Sequence, residues 1–291
     1  MVLYDPTIAG KGTGMWMLRR HPLTIFFTLV YGLSAVGIAV LTVPALAGSR
    51  PPDTTALVVF PVMVIGVGVI GAGMTAAVDG PFALRDVAAG MSPRSAANRW
   101  AFFVLLPPAA ILTVLILLRA TVSDAFTPNF FPIGIVFGLA AGLTEEFAWS
   151  GFALPRMIGA VGMPSAAVLL GILWGLWHLP VADYLGAAHP HHGWWAAFFA
   201  AFVAVLVALR VLIATVYLHT RSLLLAQLLH ASSTGCLAML GPVQVTPAQE
   251  TLWYAGYAAV LAIAATTTLR VLGRRSPDRP AHHSGADPRS Q

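Results

Sequence analysis

The chain has 291 residues, of which 58% are hydrophobic and only 9% charged, with a mean hydropathy of +0.80. A soluble domain carries about a quarter charged residues, so this composition excludes an ordinary soluble enzyme and predicts an all-α polytopic membrane helix bundle. The net charge of +5 does not make nucleic acid a partner, because the basic residues stand at the ends of apolar runs and form no stripe; the lipid bilayer is the partner they fit.

In chain order, Met1 to His21 is polar, and the first apolar run starts at Pro22 with no small-residue cleavage site after it. No removable signal peptide is expected. Apolar runs near 23–46, 55–77, 100–118, 130–153, 164–182, 195–218, 222–241 and 251–272 each suit a span of about 20 residues. They predict about eight transmembrane helices in a single domain over 1–273. With the N-terminus inside, the outer loops keep only Arg50 and Arg119, while the other Lys and Arg residues gather in inner segments, apart from Arg210 within a run. Both termini are therefore expected to be cytoplasmic. The tail 274–291, basic at its root and rich in Pro and His, reads as a disordered cytoplasmic segment.

Inside the fourth run stand two adjacent carboxylates, Glu145 and Glu146. A charged side chain at mid-bilayer costs about 2.5 to 3.5 kcal/mol on insertion scales, so such residues are kept where partners or a wet cavity await them. Helical neighbours point about 100° apart, so each needs its own surroundings: one facing a cavity as a general base, the other held in a structural bond. Trp174 and His178, at i and i+4, share a helix face. Gln227, His230 and Thr234 form a polar stripe on a later span, which alone reads as interhelical glue. Counted from inner markers at about 1.5 Å per residue, Glu145, His178 and His230 lie at about 13 to 21 Å, inside a hydrocarbon core of about 30 Å.

Carboxylates and imidazoles meeting there suit two chemistries. A glutamate and a histidine activate a water against an amide carbonyl while the other histidine and a hydroxyl stabilise the oxyanion, or Glu145, His178 and His230 hold a divalent metal such as zinc that activates it. No HExxH is present. His189, His191 and His192 read as a Pro-kinked interfacial loop anchored by Trp194 and Trp195, and Cys236 as a small packing residue.

The sequence Glu145-Glu146-Phe147-Ala148-Trp149-Ser150, followed by Gly151 to Arg156, then Trp174-Gly175-Leu176-Trp177-His178-Leu179-Pro180, then Arg221 to His230, resembles the Abi/CPBP family of intramembrane endopeptidases. Its eukaryotic members process CAAX proteins after prenylation. The resemblance covers about 130–238 and rests on EExxxR, aromatic-xxx-His and His-xxx-Asn/Asp. Ser150 replaces the arginine and Thr234 the Asn or Asp. Glu146 is thereby expected to lack its counter-ion, Arg156 being too distant and Arg210 not placed by spacing, and Ser150→Arg is expected to raise activity or stability. The resemblance implies that Glu145 with His178 activates water, Glu146 is structural or auxiliary, and His230 with Thr234 contacts the oxyanion, with Trp149, Trp174 and Trp177 lining the cavity. It implies no cofactor, the metal remaining the alternative. The substrate implied is a membrane-embedded or lipid-anchored protein or peptide, in a prokaryotic-type cell membrane. The second reading is a catalytically impaired member acting as a membrane-peptide-binding, immunity or regulatory protein. No internal repeat supports a transporter.

Overall fold

The structure, a computed structural model, describes residues 15–93 and 99–273. The basic tail 274–291 lies outside them. Every one of the apolar runs is helical, as lipid demands, since only internal hydrogen bonds can satisfy a backbone there. The helices are α1 (Pro22–Gly37), α2 (Asp53–Asp79), α3 (Ala83–Ala89), α4 (Leu106–Thr121), α5 (Ile133–Ala148), α6 (Leu154–Val161), α7 (Met163–Trp177), α8 (Trp195–Thr220), α9 (Leu223–Leu240) and α10 (Pro247–Gly273). Six of the described helical stretches are long and apolar enough to cross a membrane, and the protein is a multi-pass integral membrane helix bundle.

Proline shapes these helices from within. α1 passes through a π turn over Ile38–Thr42, and α5 passes into α6 through another over Trp149–Ala153. Each lies just ahead of a proline, Pro44 and Pro155. A proline ring has no N–H and clashes with the carbonyl four residues back, and widening the helix by one residue per turn relieves that clash. The second π turn directly follows the glutamate pair, a position such turns often take beside functional residues.

The run expected to continue through 164–182 ends its α-helix at Trp177, and Leu179–Tyr184 is 3₁₀ helix. Pro180 is the cause, since the residue before a proline is driven out of the α region. The end of α7 lies inside the protein, so its loose carbonyls need donors. Trp177 O accepts from Ser34 at 3.1 Å, Leu173 O from the Tyr31 hydroxyl at 2.8 Å, and Trp174 O from His178 Nδ1 at 2.9 Å. His178 therefore stands at a helix terminus and caps it.

Two seams fix the bundle. α5 packs most extensively on α9, where Gly134, Gly138 and Gly142 leave no room for a Cβ against the α9 backbone; small residues at a four-residue interval allow this approach between membrane helices. α8 is the most buried of the spans and packs between α7 and α10. At Gly171 of α7 a Cβ would lie 2.6 Å from Val207 Cα and 3.2 Å from Arg210 Cβ. That closeness brings Arg210 against the site.

Candidate active site

The two glutamates are divided between two environments by the helical turn between them. Glu145 is 1% exposed and Glu146 fully buried. Glu145 Oε2 accepts from two indoles, Trp149 Nε1 at 3.1 Å and Trp174 Nε1 at 2.8 Å. Glu145 also lines a cavity of about 320 Å³, together with His178, His230 and Thr234.

Glu146 turns away into a closed cluster. Arg210 Nη1 and Nη2 donate to its two oxygens, each at 2.8 Å, and His230 Nδ1 donates to Oε1 at 2.9 Å. The Ser150 hydroxyl donates to Oε2 as well. The expectation that Glu146 lacks a counter-ion is thus corrected: the cation comes from α8. A planar guanidinium matches both carboxylate oxygens at once. Its carbon also lies 4.4 Å from the centre of the Trp174 ring, a cation–π placement. Ser150 occupies the remaining space beside Arg210, 3.4 Å from Nη1, so an arginine at 150 would bring a second buried cation to a carboxylate already paired.

These contacts also set the imidazoles. A carbonyl can only accept, so His178 Nδ1 carries its proton toward Trp174 O, and the carboxylate of Glu146 requires the same of His230 Nδ1. Each ring is left with Nε2 as its unused nitrogen. Trp174 stands between them, its ring 4.7 Å from that of His230 and 6.0 Å from that of His178. It is the common neighbour of Glu145, Arg210 and both histidines.

Trp174 lines the cavity, whereas Trp149 and Trp177 stand in the packed layer behind it. That departs from the expectation for all three tryptophans. Trp149 sits one turn past Glu145 and its indole turns back to bond it, and Trp177 packs edge-on against His178, with ring centres 4.9 Å apart. Gln227 donates to Leu143 O at 2.8 Å, tying α9 to α5 as the polar stripe suggested. His191 is fully buried and pairs with Glu250 at 3.2 Å, so the histidine segment is not merely an interfacial loop. Among the described residues, Arg210 and Glu250 are the two buried Asp, Glu, Lys or Arg side chains whose places the sequence did not disclose.

Among the described residues no three His, Cys, Asp or Glu side chains are arranged to hold a metal ion. Glu145, His178 and His230 share the cavity without forming such a group, so no step below is routed through a metal.

Residues 127–236 match the family described as type II CAAX prenyl endopeptidase Rce1-like. A stretch of 88 residues is 30% identical to CAAX prenyl protease 2 of Methanococcus maripaludis, covering 27% of this chain and 32% of that protein. The match thus spans about a third of that relative's length. The matched segment contains the glutamate pair, His178, Arg210, His230 and Thr234. Over this segment the chain is similar to the type II CAAX prenyl endopeptidases.

Proposed function

We propose that the protein is an intramembrane endopeptidase that hydrolyses a peptide bond of a membrane-embedded or lipid-anchored protein or peptide. The observation that carries this reading is the division of labour between the glutamates: Glu145 faces a cavity with two imidazoles, and Glu146 is spent on Arg210, Ser150 and His230. Glu145 Oε1 has no protein hydrogen bond among the described residues, which leaves it available to a water.

In the reaction so assigned, Glu145, with His178 Nε2 accepting a second hydrogen bond, takes a proton from water as its oxygen attacks the scissile carbonyl carbon. The carbonyl π electrons move to oxygen, where the Thr234 hydroxyl and a protonated His230 Nε2 donate to the oxyanion. Glu146 stabilises that imidazolium through Nδ1, as a buried carboxylate orients a catalytic histidine in other hydrolases. On collapse the C–N bond breaks and the proton passes to the leaving amine. The two indole donors hold Glu145 in place throughout.

Similarity to CAAX prenyl protease 2 makes a farnesylated CAAX peptide the first probe. Purified protein in nanodiscs is expected to cleave it, and Glu145→Gln to reduce turnover at least about a hundredfold, as loss of a general base does, with unfolding temperature retained. Full cleavage by Glu145→Gln would overturn the mechanism. The impaired-member reading gains nothing from the structure, since Glu145, His178 and His230 all line the cavity.

A further inference from the structure

The cavity holds a second buried acid that the reaction does not use. Glu250, in the first turn of α10, is fully buried and lines the cavity that Glu145 lines. Its oxygens are turned onto the segment after α7. Oε1 accepts from Ala187 N–H and Oε2 from Ala188 N–H, both at 2.8 Å, and His191 Nε2 lies 3.2 Å from Oε2. His191 is itself stacked on Phe198, with ring centres 3.7 Å apart.

The seat is shaped for this carboxylate. Gly186 has φ +78°, and a Cβ there would lie 2.6 Å from the Glu250 carboxyl carbon, so only glycine suits both the turn and the fit. The segment's other end is anchored separately: Arg50 donates to Asp183 at 2.5 Å, and Asp183 accepts from His191 N–H at 3.3 Å. Between these anchors, Leu185, Gly186 and Ala187 form one wall of the cavity. A carboxylate stripped of water is costly unless fully bonded, and an apolar side chain would close a passive wall without that cost. The bonds go to backbone N–H groups, which hold a strap at a set position whatever its side chains.

We propose that Glu250 is a specificity-determining residue, which clamps residues 185–191 as a strap and so sets the largest group the cavity admits. The proposal deepens the peptidase reading by locating the wall that selects substrate, and its test requires no turnover. Ala141, one turn before Glu145, lines the cavity and is 2% exposed. Ala141→Cys is made in a Cys236→Ser background and reconstituted in nanodiscs. Modification rates are then compared for a small methanethiosulfonate and a maleimide carrying a bulky aromatic group.

Relative to the small reagent, the bulky one is expected to react at least tenfold faster in Glu250→Ala, and about threefold faster in the milder Glu250→Gln and Gly186→Ala. An unchanged ratio in all three overturns the proposal, and so does a general loosening that raises both rates together. A changed ratio in protein that cleaves no peptide would retire the peptidase reading alone. An unchanged ratio with normal Glu145-dependent cleavage would retire the strap alone.

Discussion

Glu145 and Glu146 are adjacent in the chain and answer to different helices. The first is gripped by indoles of its own helix and of α7, the second by Arg210 of α8 and His230 of α9. Removing one partner of a buried ion pair costs about 3 to 5 kcal/mol because the other charge is left stranded. Arg210→Ala is therefore expected to lower stability by about that amount and to abolish cleavage, read by thermal unfolding and by turnover of the farnesylated probe. Adding Ser150→Arg to Arg210→Ala is expected to restore part of both, since position 150 already touches Glu146. Ser150→Arg alone is expected to destabilise, in contrast to what the EExxxR pattern suggests. The glutamates and histidines were legible because polar groups in apolar runs are conspicuous. Arg210 was visible but not assignable, because nothing in a linear sequence states how α8 is rotated against α5. The three tryptophans look alike in one dimension, and only the turn of each helix separates the cavity wall from the layer behind.

At the scale of the element, hydropathy located the long helices but not the short α3 and α6, which fall between the apolar runs, and proline lies just beyond the two π turns and the end of α7. The end of α7 at Trp177 was missed because an apolar run does not show where the α ladder stops, although Pro180 signals it. The seam of α5 and α9 was likewise written as unremarked glycines. Gly142 is the position to test, since a Cβ there would come within 2.8 Å of Ala231 N and 2.9 Å of Ala231 Cβ. Gly142→Val is expected to cost at least about 1 to 3 kcal/mol, the usual range for overpacking. It should also cut turnover more than a stability-matched change on the lipid-facing side, because the helices it separates carry Glu146 and His230. Equal losses of turnover in the two variants would show that the seam serves stability only.

For the whole molecule, the crowding of Lys and Arg into alternate connections leads us to propose cytoplasmic positions for both ends. Reporter domains fused at Met1 and at Gln291 are each expected to be active only on the cytoplasmic side, and an outward report from either would overturn the assignment. Glu250 shows where linear reading reaches its limit: it resembles an ordinary acid at a helix start, and only the folded bundle brings residues 185–191 onto it. The backbone-to-backbone seam of α5 and α9 has one more consequence. Because no atom can be inserted there without parting Glu146 from His230, relatives of this protein with larger or smaller cargo should differ around α2, α8 and the strap, leaving the glycine side invariant as the hinge plate of the design.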